Sequence, residues 1–329
     1  MMRKAFVAGL GLLALCGPAY PQMGSPGGGE TQAIALHPAN PRIIYAGAAK
    51  GLCKTTRGGL DNWPSTGLDH LGPRHIVLDP SDPGVIYTGT YEMGVYKSTN
   101  AAASWHPVNN GLTNGRIRGL AIDPSDGQTL YAGTDGGGVF KTTDGGTSWR
   151  EVNRGLIDKT LRALVIDPRS PSTLYAATWH GVYKTTDGGG HWKANPEGLY
   201  DIDVRALAMD PADSRIIYAT TDPGGVYRST DGGWTWTLGE RPLIQHILAL
   251  AVDPHNPAHV YAGTKKGVFR STDSADTFAV AGLQWSNRTW TLVFDDRTKP
   301  ATLYYGGEGG VLKTTNGGRW WDVTGLQRK

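Results

Sequence analysis

The segment Leu120-Ala-Ile-Asp-Pro124 is followed by Thr129-Leu-Tyr-Ala-Gly-Thr134, then by Gly138-Val-Phe-Lys-Thr-Thr-Asp-Gly-Gly146 and Ser148-Trp149. This order of apolar run, Asp-Pro dipeptide, second apolar run and glycine-rich turn recurs along the chain. Repetition at a fixed period is typical of solenoids, propellers and other repeat architectures. The repeat therefore indicates a repeat architecture, whatever the role of any single residue.

The Asp-Pro dipeptide marks the phase of each repeat. It recurs at Asp79, Asp123, Asp167, Asp210 and Asp253, and His37-Pro38 and Asp295-Asp296 are degenerate copies at the two ends. The repeats cover residues 31–68, 75–112, 117–156, 161–199, 204–243, 247–283 and 289–326, with a period of about 43 residues. The array therefore contains seven units.

Each repeat contains four short runs rich in Val, Ile, Tyr and Thr, bounded by Gly, Asp, Pro and Asn. Such runs indicate strands separated by turns. Four strands in 40–45 residues are typical of a propeller blade, and closing the blades into a ring protects the sheet edges. A solenoid is the structural alternative, but it would need distinct polar capping repeats. We predict an all-β fold, a single seven-bladed β-propeller of four-stranded antiparallel blades.

Composition narrows the function classes. The chain has 329 residues, 47 of them glycine, and a formal net charge of +3. This charge is too small to favour nucleic-acid or membrane binding. The sequence contains no Gly-x-Ser-x-Gly elbow, His-Glu-x-x-His pair, cysteine cluster or phosphate loop. We therefore expect no cofactor and no metal, and we expect a monomer.

The N-terminus has the pattern of an export signal. Arg3 and Lys4 precede an apolar run that ends at Cys16, and Gly17 and Ala19 suit the −3 and −1 positions of a cleavage site. We predict a signal peptide over 1–19, a flexible leader over 20–30, and a periplasmic or secreted location. Lipidation of Cys16 is the less favoured alternative. Cleavage would leave one cysteine, Cys53, so no disulfide could form within the chain.

The turn between the third and fourth strands carries the most regular motif, Thr142-Thr-Asp-Gly-Gly-Thr-Ser-Trp149. Close copies occur at 185–192, 229–236 and 314–321, and weaker ones at 98–105 and 271–278. The motif resembles the Asp-box, or bacterial neuraminidase repeat. That repeat is found in sialidases, in two-propeller xyloglucan-degrading endoglucanases, in sortilin-type receptors and in photosystem II assembly and stability factors.

The resemblance implies that these turns lie on the face away from a ligand site. Their regular residues are then fold determinants: Asp144, Trp149, Asp187, Trp192, Asp231, Trp236, Asp273, Phe278 and Trp321. The carboxylate can accept backbone N–H groups, the glycines tolerate positive φ, and the aromatic ring buries a large area between blades.

Departures from the repeat point to a candidate ligand face. Five residues before the anchor Asp, four consecutive repeats carry Arg74, Arg118, Arg162 and Arg205, whereas the other repeats carry Gln32, Leu248 and Trp290. An arc of guanidinium groups near the channel mouth could bind carboxylates, sulfates or an acidic peptide. The alternative is an exposed position where arginine covers apolar neighbours. Arginine patches of this kind also fit the photosystem II assembly factors, which bind a partner polypeptide.

Trp179, Trp285 and Trp290 lie outside the repeated tryptophan position, and exposed aromatic rings beside carboxylates could stack on sugars. Other residues expected on this face are Asp69, His70, Tyr91, Glu92, Asp135, His180, Tyr200, Asp201, Asp203, Asp222, His246, Lys265, Lys266, Arg288 and Glu308. No carboxylate pair among them has a spacing that marks it as catalytic.

Two function classes remain open. The first is an exported, non-catalytic binding or assembly propeller that recognises a protein partner or an anionic ligand. The second is a carbohydrate-active enzyme, a hydrolase or lyase, that uses carboxylates and tryptophans of the same face. A sialidase is disfavoured, because Arg42-Ile-Ile-Tyr45 resembles a sialidase motif but recurs as Arg215-Ile-Ile-Tyr218 in the same phase of the repeat.

Overall fold

The computed structural model describes residues 30–60, 63–195, 197–199, 202–222, 224–243, 245–284 and 288–323. The predicted signal peptide lies outside the described residues, and so does the leader except for Glu30. The described residues contain no helix.

The strands fall into seven successive sheets, which are the blades of the propeller. Blade 1 contains β1 (Thr31–Leu36), β2 (Ile44–Ala48) and β3 (Gly51–Thr55); blade 2 contains β4 (Pro73–Leu78), β5 (Ile86–Thr90), β6 (Val95–Ser98) and β7 (His106–Pro107); blade 3 contains β8 (Ile117–Asp123), β9 (Asp126–Thr134), β10 (Gly138–Thr142) and β11 (Arg150–Glu151). Blade 4 contains β12 (Leu161–Ile166), β13 (Leu174–Thr178), β14 (Gly181–Thr185) and β15 (Lys193–Asn195); blade 5 contains β16 (Val204–Met209), β17 (Ile217–Thr221), β18 (Val226–Ser229) and β19 (Thr237–Leu238). Blade 6 contains β20 (Ile247–Val252), β21 (Val260–Thr264), β22 (Gly267–Ser271) and β23 (Ala279–Gln284); blade 7 contains β24 (Thr289–Asp295), β25 (Thr302–Gly307), β26 (Gly310–Thr314) and β27 (Asp322–Val323).

Every blade is an antiparallel meander in which each strand pairs with the next along the chain. The first strands of the blades contact one another in sequence, and β24 contacts β1, so the ring closes between the last and first repeats. The seven-bladed propeller is confirmed. Blade 1 departs from the pattern, because its fourth strand is reduced to a single bridge between Cys53 and Ser65. Cys53 is buried and forms no disulfide.

The hydrophobic core lies between adjacent blades. A tyrosine on the second strand of one blade shares a buried cluster with the tryptophan of the next blade, as Tyr131 does with Trp192 and Tyr175 with Trp236. Burying a large apolar side chain stabilises a fold by about 1.5–3 kcal/mol. Because both partners recur in the repeat, each blade contributes a tyrosine to one of its two interfaces and the aromatic residue of its Asp turn to the other.

The turns between the third and fourth strands, here called the Asp turns, are closed by side-chain hydrogen bonds. In blade 3, the Asp144 carboxylate accepts the Thr142 hydroxyl at 2.7 Å, the Ser148 hydroxyl at 2.6 Å and the Ser148 N–H at 2.9 Å. The bonds from Ser148 and Thr142 lower the pKa of Asp144 to about 2. The glycines that follow adopt φ values of 66° and 89°, which residues with a Cβ rarely adopt.

The Asp turns also join neighbouring blades. Three tryptophans donate their indole N–H to a carbonyl of the preceding blade: Trp149 to Val108 at 2.8 Å, Trp192 to Val152 at 2.7 Å and Trp321 to Ala281 at 2.8 Å. Trp236 instead donates to Gly233 of its own turn at 3.1 Å. The predicted Asp273 and Phe278 lie in the turn of blade 6, where Asp273 accepts the Thr277 hydroxyl at 2.5 Å.

The Asp turn and the turn between the first two strands lie at the same end of a blade. Gly145 N–H donates to the Gln128 carbonyl at 2.9 Å, and Gly188 N–H donates to the Ser172 carbonyl at 2.8 Å. The opposite end is therefore formed by the turns between the second and third strands and by the connections between blades. This opposite end is the face on which the sequence placed a candidate site.

Candidate functional site

All seven first strands contain a register shift at the same position. In each case one residue is inserted opposite the second strand: Gln32, Arg74, Arg118, Arg162, Arg205, Leu248 and Trp290. A β-bulge leaves the extra residue unpaired and redirects its side chain. The four predicted arginines are thus bulge residues in four adjacent blades. We call the end of the propeller that carries these seven residues the bulge face.

Three of the four arginines form ion pairs. Arg118 donates to Asp135, in the turn between β9 and β10, with a nitrogen–oxygen distance of 2.7 Å. Arg162 donates to Asp203 at 3.3 Å, although Asp203 lies 41 residues away, in the connection that leads into blade 5. Both arginines are largely buried, with 23% and 15% of the side chain exposed. The arc is therefore partly neutralised by carboxylates instead of consisting of free guanidinium groups.

The ion pairs continue from blade to blade. One nitrogen of Arg205 lies 2.7 Å from Asp203 and 3.0 Å from Asp222. The other Asp222 oxygen lies 3.0 Å from the exposed His246 imidazole. Together with Arg162, these residues connect blades 4, 5 and 6. A network of charge-assisted hydrogen bonds holds its side chains more firmly than isolated surface pairs do.

Two aromatic residues of the bulge face contact the arginines. The guanidinium carbon of Arg74 lies 3.9 Å from the centre of the Tyr91 ring, and that of Arg118 lies 5.6 Å from it. The Arg162 guanidinium lies 4.8 Å from the Trp179 ring, of which 49% is exposed. Such cation–π contacts contribute about 0.5–1 kcal/mol at exposed sites. They orient the guanidinium planes.

Burial and repulsion between neighbouring cations lower the pKa values of Arg74, His75 and Arg162. Burial lowers the pKa of Arg74, Arg118 lowers it further, and Tyr91 and Glu30 oppose the shift. Burial also lowers the pKa of Arg162, more than Asp203 raises it. His75 follows Arg74 in β4, and its pKa is lowered to about 4 by burial, Arg74 and Arg118. His75 is therefore neutral at pH 7 and adds no charge to this face.

The two predicted tryptophans that the structure describes lie in different blades. Trp179 lies in the turn between β13 and β14 of blade 4, beside Arg162. Trp290 is the bulge residue of blade 7, and its buried indole N–H has no hydrogen-bond partner among the described residues. Trp285 lies outside the described residues. The structure therefore joins one predicted tryptophan to the arginines.

Sequence reasoning named Asp135, Asp203, Asp222 and His246 as residues of this face but did not predict their pairing with the arginines. It missed Asp158, whose carboxylate lies 2.9 Å from the His180 imidazole. An acidic residue two positions before Arg205 was the available signal for one pair. The other partners lie 17 and 41 residues from their arginines. Strand pairing within blade 3 brings Asp135 to Arg118, and the packing of blades 4 and 5 brings Asp203 to Arg162.

No group of three or more His, Cys, Asp or Glu side chains is placed to hold a metal ion within the part of the chain that the structure describes. Over the same residues, no helix has the length and apolar character needed to span a membrane.

Comparisons with known proteins place the chain among β-propellers. A scan against family models found no match, and neither did a search among curated proteins. The GH74 xyloglucanase from Xanthomonas campestris matches with a TM-score of 0.74 and 18% identity over 92% of this chain and 55% of that chain. The GH74 enzyme from Niastella koreensis matches with a TM-score of 0.71 and 19% identity over 92% and 54%.

A structure of YCF48 bound to D1 peptide matches with a TM-score of 0.67 and 16% identity, over 87% of this chain and 93% of that chain. The chain thus spans about half the length of the GH74 structures and nearly all of YCF48. At these identities the likeness is one of fold.

Proposed function

We propose that the protein is an exported, non-catalytic binding propeller whose bulge face recognises a protein partner or an anionic ligand. The observation that carries the proposal is the row of four bulge arginines in adjacent blades. Arg118, Arg162 and Arg205 pair with carboxylates, and Arg74 and Arg162 lie over the Tyr91 and Trp179 rings. Guanidinium groups that are already oriented lose little conformational freedom when they bind a carboxylate. This row is suited to binding an extended acidic or polar surface.

Two further observations support this function. The structure of YCF48 bound to D1 peptide shows that a propeller of similar fold and length binds a polypeptide. The export pattern at residues 1–19 supports a location outside the cytoplasm. A binding role also fits a face where arginine and aspartate alternate, since such a face offers donors and acceptors to a partner.

The test is partner capture by the mature chain from the extracytoplasmic fraction of its host. The variant R118E/R162E/R205E is expected to lose the partner that the unaltered protein retains. The control R57E/R215E/R319E makes the same change in charge in exposed turns of the opposite face, and it should retain the partner. Thermal melting checks that each variant is folded, and R118Q/R162Q/R205Q replaces the charge-reversal variant if that one is not. Equal capture by all proteins would overturn the proposal.

A carbohydrate-active enzyme is the second candidate. The observation that favours it is the approach of the Asp203 and Asp222 carboxylates to a single nitrogen of Arg205, together with the exposed Trp179. A pair of neighbouring carboxyl groups is what glycoside hydrolysis requires. However, a general acid is normally kept away from a cation, because a cation favours the ionised form. Product release from a polysaccharide panel that is abolished in D203N and D222N would favour the enzyme over the binding propeller.

A further inference from the structure

A cavity of about 420 Å³ opens on the bulge face between blades 1 and 2. It is lined by Gln32, Ala48 and Ala49 of blade 1, by the connection 70–72, and by Arg74, Tyr91, Glu92 and Met93 of blade 2. Its size falls in the range of small-molecule pockets. Most of its wall is apolar, and Arg74 is its one arginine.

Arg74 differs from the other three bulge arginines in its electrostatic environment. Each of Arg118, Arg162 and Arg205 forms an ion pair with an aspartate. Among the described residues, no ion pair is formed by Arg74. Arg74 is therefore the bulge arginine that lacks a carboxylate partner in the described part of the chain.

Burial makes this unpaired charge costly. The Nε–H of Arg74 is buried and has no hydrogen-bond partner in the described part of the chain. One face of its guanidinium is covered by the Tyr91 ring, 3.9 Å away. Burying a donor without a partner costs about 1–3 kcal/mol, and more for a charged group. An anion that pairs with the other guanidinium nitrogens of Arg74 would supply the counter-charge that the described residues do not provide.

The acidic groups nearby do not fill this role. Glu92 lines the cavity, but its carboxylate pairs with Arg116 at 3.8 Å and is 57% exposed. Glu30 raises the pKa of Arg74 less than Tyr91 does, and burial outweighs both. Beside the arginine, the wall offers aliphatic and aromatic surface from Leu71, Met93 and Tyr91. The cavity thus combines a guanidinium that has no ion-pair partner among the described residues with apolar surface, and Gln32, His70 and Glu92 form the rest of its polar lining.

We infer that this cavity binds a small monocarboxylate with an aliphatic body, its carboxylate on Arg74 and its body against Met93 and Leu71. A carboxylate matches the planar fork of a guanidinium and forms two parallel hydrogen bonds with it. The aliphatic body gains free energy by leaving water. The site uses Arg74 of the same row, but not the ion-paired Arg118, Arg162 and Arg205 on which the proposed function is tested.

The test is a titration of the mature chain with 4-methylpentanoate and with 4-methylpentanamide, followed by ligand-observed NMR and calorimetry. The two probes have nearly the same shape, but the amide is neutral and replaces one acceptor oxygen by an N–H donor group. The acid is expected to bind at least tenfold more tightly than the amide. The variant R74Q should weaken binding of the acid at least tenfold. The control R288Q removes an exposed arginine of blade 7 and should change the affinity less than twofold.

Equal binding of acid and amide by the unaltered protein would overturn the inference, as would failure of the acid to bind. This comparison needs no variant and holds even if R74Q does not fold. A peptide ending in leucine that binds through Arg74 while 4-methylpentanoate does not would also overturn it, because the occupant would then be a polypeptide. If the unaltered protein captures its partner but does not bind 4-methylpentanoate, this site is rejected and the proposed function stands.

Discussion

At the scale of single residues, the repeat separates two kinds of aspartate. Those of the Asp turns are bound by hydroxyls and N–H groups of their own turn, as Asp144 and Asp187 show. Those of the bulge face pair with arginines. Aspartates of the first kind have hydrogen-bond partners within four residues of sequence. Those of the second kind have ion-pair partners that are brought close by neighbouring strands or blades. This difference suits the first to holding the turn and the second to recognition.

The Asp turns predict a dependence of stability on pH. The hydrogen bond from Ser148 is the largest cause that lowers the pKa of Asp144, and the bond from Thr185 is the largest for Asp187. Both pKa values fall to about 2, below the ordinary value of about 3.9. A group with a lowered folded-state pKa stabilises the fold above its unfolded pKa and loses that contribution as the pH falls through the folded value. The variant D144N/D187N should therefore lose less stability between pH 4 and pH 2 than the unaltered protein.

Urea denaturation at pH 7, 4 and 2 measures this effect. Asparagine is tolerated at the position, since Asn316 accepts the Trp320 N–H at 3.0 Å in the turn of blade 7. The control D296N/D322N removes two carboxylates outside the Asp turns and should keep the pH dependence. An equal loss of stability on acidification in D144N/D187N and the unaltered protein would contradict this account.

At the scale of structural elements, the unit of stability is the interface between blades. Trp192 is buried in the cluster that contains Tyr131 of the preceding blade, and its indole N–H donates to Val152. Phe278 occupies the equivalent position in blade 6 and packs against its cluster without such a donor. A large aromatic ring is therefore kept at this position in both blades, whereas the hydrogen bond to the preceding blade is not.

This comparison predicts a graded effect at Trp192. W192F removes the hydrogen bond and leaves the Val152 carbonyl without its donor, which should cost about 1–2 kcal/mol of unfolding free energy. W192A also opens a cavity between blades 3 and 4 and should cost about 3–5 kcal/mol. Guanidinium denaturation followed by circular dichroism measures both. Equal losses in the two variants would show that the ring does not stabilise the interface through its volume.

At the scale of the whole molecule, the ring closes by side-chain contact. Arg297 in blade 7 donates to the His37 carbonyl at 2.7 Å and the Pro38 carbonyl at 3.0 Å of blade 1. It also pairs with the buried Asp295 carboxylate at 2.7 Å. Each repeat forms its own blade, so this junction depends on packing and on such hydrogen bonds.

Removing Arg297 should therefore destabilise the ring. R297A leaves the Asp295 carboxylate buried without its partner and breaks both bonds to blade 1, which should cost about 3 kcal/mol. The control R215A breaks a pair of the same type, Arg215 with Asp213 at 2.7 Å, which is solvent-exposed and should change stability very little. Guanidinium denaturation compares the two variants. Similar stabilities would mean that the junction does not rely on Arg297.

Much of the architecture could be read from the sequence, because its causes are local. The spacing of the Asp-Pro dipeptides predicts the number of blades, and the alternation around Thr129–Thr134 predicts a strand whatever the distant residues do. The position of the bulge arginines was also visible as a departure from the repeat. Their identity as bulge residues was not, since a bulge is defined by the register of the paired strand.

The amino-acid sequence by itself determined the fold class, the seven blades and the motif of the Asp turns, since each depends on contacts within one repeat. Only the tertiary structure decided which arginines are neutralised. Arg162 meets Asp203 across a blade interface, whereas Arg74 meets Tyr91 and no carboxylate of the described chain. The physical reason is that an ion pair requires two side chains within a few ångströms, and that distance is set by how the blades pack.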